Sequence, residues 1–193
     1  MRKTMLFAAF LVLALVIAVP AFADIEVGIS ATIDPAVAED PNAELEPIPG
    51  FHLAYQWWGI FYATWDSMVL PPDLVNSLTG YLRPGFLNLF DAGIRIRLGP
   101  IIGFVTAGTN NIYVYRQAEL TDFNPEFGAN LRAGAGLKFE FLGVNLSVTS
   151  LFASFDRLAR TLQSLAGTPA EQNAAIETIT SGLIPAFGVT LYF

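Results

Sequence analysis

Beyond the first two dozen residues, apolar side chains recur at every second position instead of gathering in runs or at helical spacing. Such alternation predicts strands with one apolar and one polar face. Eight such segments follow one another. The first covers Ile25 to Ile33, with Ile25, Val27, Ile29, Ala31 and Ile33 opposite Glu26, Gly28, Ser30 and Thr32. The second, Phe51 to Trp57, sets Phe51, Leu53, Tyr55 and Trp57 against His52, Ala54 and Gln56; the third, Ile60 to Met68, has less distinct faces. The fourth, Phe86 to Leu98, ends with Ile94, Ile96 and Leu98 opposite Gly93, Arg95 and Arg97, and a fifth starts at Ile101. The sixth, Phe127 to Phe141, is the most regular, with Leu131, Ala133, Ala135, Leu137, Phe139 and Phe141 alternating with Arg132, Gly134, Gly136, Lys138 and Glu140. In the seventh, Val144, Leu146 and Val148 alternate with Asn145, Ser147 and Thr149, and the eighth runs from Leu183 to Phe193.

The connections alternate as well. Residues 34 to 49, 69 to 85, about 110 to 126 and 154 to 182 are long, whereas Trp58-Gly59, Gly99-Pro100 and Leu142-Gly143 make tight turns. Lipid offers backbone groups no hydrogen-bond partner, so a sheet sits in a bilayer only when it closes on itself. Segments of about ten alternating residues, joined by short turns on one side and long loops on the other, are what such a barrel requires. Asn110-Asn111 offers a further hairpin turn, which would make nine strands; an antiparallel barrel with both ends on one side needs an even number. Ile112 to Tyr115 is therefore expected to prolong the fifth strand beyond the membrane or to begin the third loop. The competing architecture is a soluble sandwich with its aromatics in a core.

Composition sharpens this picture. The chain is 53% hydrophobic, yet its one long apolar run, Met5 to Val19, lies at the N-terminus behind Arg2 and Lys3 and before Ala21-Phe22-Ala23. That is the form of a cleaved signal peptide over residues 1–23, leaving 24–193 as the barrel. The alternative is a retained anchor, which needs roughly 20 apolar residues and is opposed by Pro20 and the A-x-A site. Without Arg2 and Lys3 the chain is more acidic than its full-length formal charge of −7. Phosphate binding needs a basic face, so nucleic acid is not expected as a partner. Cysteine is absent, which excludes disulfides, thiolate metal sites and an acylated N-terminal cysteine.

The final residues set Phe187, Val189, Leu191 and Phe193 on one face. Here the chain resembles bacterial outer-membrane barrel proteins, whose last strand carries a signal for the barrel-assembly machinery. Gly188, Leu191 and Phe193 match that pattern, and Ala186 departs from it at a polar position. With seven upstream strands, the architecture looks like the eight-stranded group that includes the OmpX, OmpW and OmpA barrel types. The resemblance implies residence in the outer membrane of a Gram-negative-type bacterium after cleavage near Ala23, with outer-membrane lipid and the assembly machinery as partners. The tight turns would then face the periplasm and the long loops the outside. Aromatic residues collect where strands should meet the headgroups, among them Trp57, Phe61, Phe141 and Phe193 at the turn end and Phe51, Trp65, Phe86, Phe127 and Phe152 at the loop end; such rings favour that boundary.

With apolar faces on lipid, Glu26, His52, Asp91, Arg95, Arg97, Arg132, Lys138 and Glu140 point inward. An eight-stranded barrel is just wide enough for side chains to fill, so a paired charge network is expected, with a narrow polar channel as the alternative. Glycines 28, 93, 134, 136 and 188 would make room for the arginines. His52 is the one candidate for catalysis, because lipid-modifying barrel enzymes pair a histidine with a serine; no serine motif stands beside it, so no catalytic site is expected. No metal-ligand spacing and no phosphate-binding glycine loop occur, and no cofactor is expected. The first loop carries Asp34, Glu39, Asp40, Glu44 and Glu46 without a basic residue and should be solvated.

In the fourth loop, Leu158, Leu162 and Leu165 recur at helical spacing, and Thr168-Pro169-Ala170-Glu171 is a capping box with proline at the first helical position. Two short helices follow. They are expected to pack on each other; the alternatives, together with Leu74, Val75 and Leu78 of the second loop, are an apolar lid over the mouth or a docking surface. The expected role is a non-enzymatic scaffold displaying surface loops for adhesion or envelope integrity. The alternative is a conduit for small apolar solutes gated by the fourth loop.

Overall fold

Alternation of this kind can bury one face only by pairing strands edge to edge, and the pairing closes completely. The computed structural model describes residues 24–33, 47–80, 82, 84–115 and 123–193. The expected signal peptide and the acidic cluster of the first loop lie outside these residues. Eight strands are present: β1 (Asp24–Thr32), β2 (Ile48–Trp57), β3 (Phe61–Leu70), β4 (Gly85–Leu98), β5 (Ile101–Tyr115), β6 (Phe123–Phe139), β7 (Leu142–Phe152) and β8 (Ile184–Tyr192). Each pairs antiparallel with its neighbours in sequence, and β1 pairs with β8, forming a closed barrel. The seam is finished by the ends themselves, with Ile25 N–H donating to Phe193 O at 3.2 Å and Phe193 N–H to Ile25 O at 2.9 Å.

The outward face is apolar on every strand: Ile25, Ile29, Phe51, Phe90, Ile96, Val105, Leu137, Leu146 and Leu191 are all exposed. Large apolar side chains exposed on strand after strand form a contiguous apolar surface, which soluble monomers rarely present. The competing soluble sandwich does not form, since the described strands make one closed sheet whose apolar faces clasp no second one. Trp65 stacks on Phe90 with ring centroids 6.1 Å apart, and its indole N–H donates to Asn88 at 3.2 Å. Trp57 stacks on Tyr55 and Phe61 at 5.8 and 5.7 Å. Phe141 projects from the last tight turn, 65% exposed.

One turn departs from the sequence pattern, while the continuation of the fifth strand through Asn110-Asn111 follows it and the faces of the third become distinct. The third tight turn is Glu140-Phe141, two residues before Leu142-Gly143, because Lys138 pairs across to Gly143 and Phe139 to Leu142. Gly143 is needed inside the strand, where a Cβ would come within 2.6 Å of the Tyr192 ring. Asn110-Asn111 makes no turn, because β5 runs straight through it and is paired with β4 and β6. The inward Asn110 amide donates to Ala129 O at 2.6 Å, so the pair that looks like a turn serves the sheet. The faces of β3 are also resolved: Tyr62, Thr64, Asp66, Met68 and Leu70 are buried, while Phe61, Trp65 and Val69 are exposed.

Helix α1 (Pro72–Thr79) lies between β3 and β4, and α2 (Phe155–Ser164) and α3 (Pro169–Thr180) between β7 and β8. Glycine in the left-handed conformation ends α1 at Gly80, φ 80°. Ser154 caps α2 by accepting from Arg157 N–H at 3.3 Å. At the start of α3, Glu171 accepts from the N–H of Thr168 at 2.7 Å, one arm of the capping box, and from its hydroxyl at 2.7 Å as well.

The apolar packing falls in separate places. At the loop end, inside the barrel, Ile48, Met68, Leu70, Leu87, Leu89, Ile112 and Val114 point inward and close around Val75 of α1, which is fully buried. On the outside wall, Leu158 of α2 packs on Ala129 and Phe152, with Ala107, Leu131 and Ile179 beside them. Ala129 and Phe152 are outward residues, since their strand neighbours Asn130 and Leu151 face in; the α2–α3 hairpin therefore folds against the barrel's flank. The two fourth-loop helices pack on each other, as expected, and on this flank, so the alternative of a fourth-loop lid over the mouth is not what forms. The second loop closes the mouth instead, through Val75.

Candidate functional site

Register brings the interior polar residues together. Gly28, His52 and Asp66 face one another across β1, β2 and β3, and in the next inward row Tyr192, Glu26 and Ala54 do so across β8, β1 and β2. From the far wall, β4 contributes Arg95 and β6 contributes Arg132. All of these charged side chains are at least nine-tenths buried, so each must be paired or hydrogen-bonded.

The pairing is extensive. Arg95 forms an ion pair with Glu26 and donates to Tyr192 Oη at 2.9 Å. Arg132 forms an ion pair with Asp66 and donates through Nε to Ser147 Oγ at 3.3 Å. His52 bridges the two carboxylates, with Nδ1 2.8 Å from Asp66 Oδ1 and Nε2 3.8 Å from Glu26 Oε2. The Tyr62 hydroxyl lies 3.4 Å from both Glu26 Oε2 and His52 Nε2. Aromatic faces support the cations, because the Arg95 guanidinium lies 4.9 Å from the Tyr62 ring centroid and that of Arg132 lies 5.6 Å from Phe104. Lys138 closes the turn end, 2.5 Å from Asp24 Oδ2 and 4.0 Å over the Tyr192 ring.

Five of the eight expected lumen charges thus meet in this interior, namely Glu26, His52, Arg95, Arg132 and Lys138. Asp91 is buried but one step removed; Thr106 donates to its Oδ2 at 3.4 Å, and it has no ion-pair partner within 4 Å among the described residues. Arg97 and Glu140 are outside the network. Both are exposed at tight turns: Arg97 bonds through Nε to Gly99 O at 3.0 Å, and Glu140 occupies the turn itself at φ 43°. Their place in the polar phase of the alternation is real, but the strands end there and the side chains reach water. The expected room for arginines is also redistributed. The space at Gly134 is taken by the Phe104 ring, 2.4 Å from where a Cβ would lie, and the space at Gly188 by the Asn145 amide.

Sequence reasoning missed Asp66, Tyr62, Tyr192 and Asp24. Asp66 is the acid that both His52 and Arg132 use, and it sits in the one strand whose faces alternate least clearly. Above this network a cavity of about 10 Å³, lined by Asp66, Arg132, Met68 and Leu87 among others, marks the boundary with the apolar plug. That is room for about one water molecule. Among the described residues the interior is packed with side chains, charged in its middle and apolar at its loop end. Among the described residues no group of three or more His, Cys, Asp or Glu side chains is placed to hold a metal ion.

The predicted C-terminal signal residues lie along the seam. Leu191 and Phe193 point outward, Phe193 at 73% exposure, and Gly188 faces in toward Asn145.

No protein-family model matches the chain. No curated protein sequence matches it either. Solved structures do. The N-terminal β-barrel domain of OprF from Pseudomonas aeruginosa is similar with 13% identity and a TM-score of 0.50, the match covering 88% of this chain and 97% of that one. Ail, the attachment invasion locus protein of Yersinia pestis, is 10% identical over 89% of this chain and 97% of that one, with a TM-score of 0.45. Neisserial surface protein A is 8% identical over 89% and 96%, with a TM-score of 0.42. The first of these shows that the chain shares the fold of an outer-membrane β-barrel domain, and at such identity the fold is what it shows.

Proposed function

We propose that this protein is an integral outer-membrane barrel of a diderm bacterium that works as a sealed, non-enzymatic scaffold, displaying its long connections at the cell surface. The observation that carries this reading is the filled interior. Two ion pairs and a bridging histidine occupy its middle, the Lys138–Asp24 pair closes its turn end, and Val75 with seven inward apolar side chains occupies its loop end. That packing supports a barrel without a continuous polar path for ions. A conduit gated by the fourth loop loses its gate, because that loop's helices pack on the outer wall. Catalysis at His52 is opposed by the engagement of both ring nitrogens and by the burial of the neighbouring Tyr62 hydroxyl.

Planar-bilayer recording of the purified, refolded protein tests the reading. Insertion without stepwise openings is the expected result, for the wild type and for His52→Ala alike. Discrete openings in the wild type at moderate voltage would replace the scaffold with a channel.

A further inference from the structure

The α2–α3 hairpin occupies an unusual position for a surface loop. Its buried face rests on outward residues of the barrel, Ala129 and Phe152, and Leu131 and Ala107 lie beside the contact. Ala129 is about ten residues along β6 from the turn end, which at the usual strand rise and tilt is roughly 25 Å of height. The apolar belt of such barrels is about that tall, so the hairpin rests at the rim of the belt, beside the outer-leaflet headgroups in the orientation proposed above.

Its remaining surface suits that place. Phe155 and Leu162 on α2 and Ile176 on α3 are exposed at 56%, 40% and 50%, continuing the apolar wall around the hairpin. The other flank of α2 carries Arg157 and Arg160, which line an open groove of about 500 Å³ between the helices. Arg160 donates through Nε to Asp156 O at 3.2 Å, and Arg157 forms no ion pair among the described residues. The groove hydroxyls of Thr161 and Ser164 donate to the carbonyls of Arg157 and Arg160, so the guanidiniums are the donors left for a ligand. Glu171 is the one acid in the groove, and it is turned into the α3 cap by Thr168. An apolar flank beside a cationic one is how a helix lies in a membrane interface.

We propose that the α2–α3 hairpin is a binding site for an anionic, phosphate-bearing glycolipid of the outer leaflet, with Phe155, Leu162 and Ile176 against its acyl chains and Arg157 and Arg160 on its phosphate. The occupant follows from continuity with the lipid-facing wall and from the charge of the groove in an otherwise acidic chain. The inference rests on the outer-membrane reading.

The test uses the folded barrel in phosphatidylcholine nanodiscs doped with lipid A, either diphosphorylated or enzymatically dephosphorylated, with bound glycolipid counted by native mass spectrometry. The wild type is expected to retain the phosphorylated form about tenfold better, in keeping with one or two charge-assisted hydrogen bonds. A doubly substituted Arg157→Ala, Arg160→Ala barrel should lose that preference while keeping its heat-modifiable gel mobility. Phe155→Ser should weaken both forms alike. Equal retention of the two forms by the wild type overturns the site, and this arm holds even where a variant misfolds. A wild type that refuses to enter the bilayer at all would instead sink the outer-membrane reading beneath it.

Discussion

At the scale of single residues, Asp66 holds more of the interior together than its place in the sequence suggests. Its two oxygens engage His52 and Arg132 separately. Asp66→Asn leaves Arg132 buried without its counter-charge, and breaking one side of such a pair costs about 3 to 5 kcal/mol. Urea unfolding in lipid vesicles is expected to show a loss of that size. The double substitution Asp66→Asn, Arg132→Met should recover much of it, since an apolar replacement removes the stranded charge. A fully additive double variant would mean that the two side chains do not interact. The alternation of β1, β2, β4 and β6 was enough to place Glu26, His52, Arg95, Arg132 and Lys138 indoors. Asp66 was illegible because β3 puts Tyr62, Met68 and Leu70 on the same inward face, so apolar and polar residues occur on both sides of that strand. Arg97 and Glu140 show the converse limit, as parity assigns a face but not the height at which the face meets water.

At the scale of elements, the strands were legible to within a few residues and the turns less so. Gly99-Pro100 has the chemistry of a turn and is one. Leu142-Gly143 has the glycine, but Tyr192 from the paired strand β8 needs the vacancy, and Glu140 accepts the left-handed conformation instead. Helix α3 was readable from its capping box alone, which supplies a prediction of its own. The Thr168 N–H, with the hydroxyl of the same residue, holds the Glu171 carboxyl below the ordinary glutamate range. A carboxylate with a lowered folded-state pKa stabilises the helix above the unfolded value and loses that contribution as pH falls through the folded one. Amide exchange in the first turn of α3 should therefore be slow at neutral pH, relative to intrinsic rates, and lose protection under acid. A Glu171→Gln variant should show little of that pH dependence. What the pattern of α2 did not disclose was its docking surface: an amphipathic helix announces that it buries a face, and Leu158 would have suited the mouth or the flank equally well.

At the scale of the whole molecule, the closed eight-strand count followed from an even-number argument, and the division of the lumen into a charged middle and an apolar outer end did not. Ile112 and Val114 looked like overhang because nothing local says that a helix from another loop will plug the space they line. The terminal residue offers a further check. Phe193 leaves its ring exposed while its backbone bonds to Ile25, so Phe193→Ala should unfold at nearly the wild-type urea concentration yet accumulate poorly in the membranes of growing cells, if the ring is a delivery signal. Equal loss in both measurements would make it a packing residue. The seam that this residue finishes has a kinetic corollary. β1 and β8 are partners with almost the entire polypeptide between them, so the loop-closure entropy for their pairing is the largest in the protein and their contact is the slowest to earn. Until it forms, the ribbon carries two bare edges, each a template for a neighbouring copy; a chain stalled one strand short should polymerise sideways.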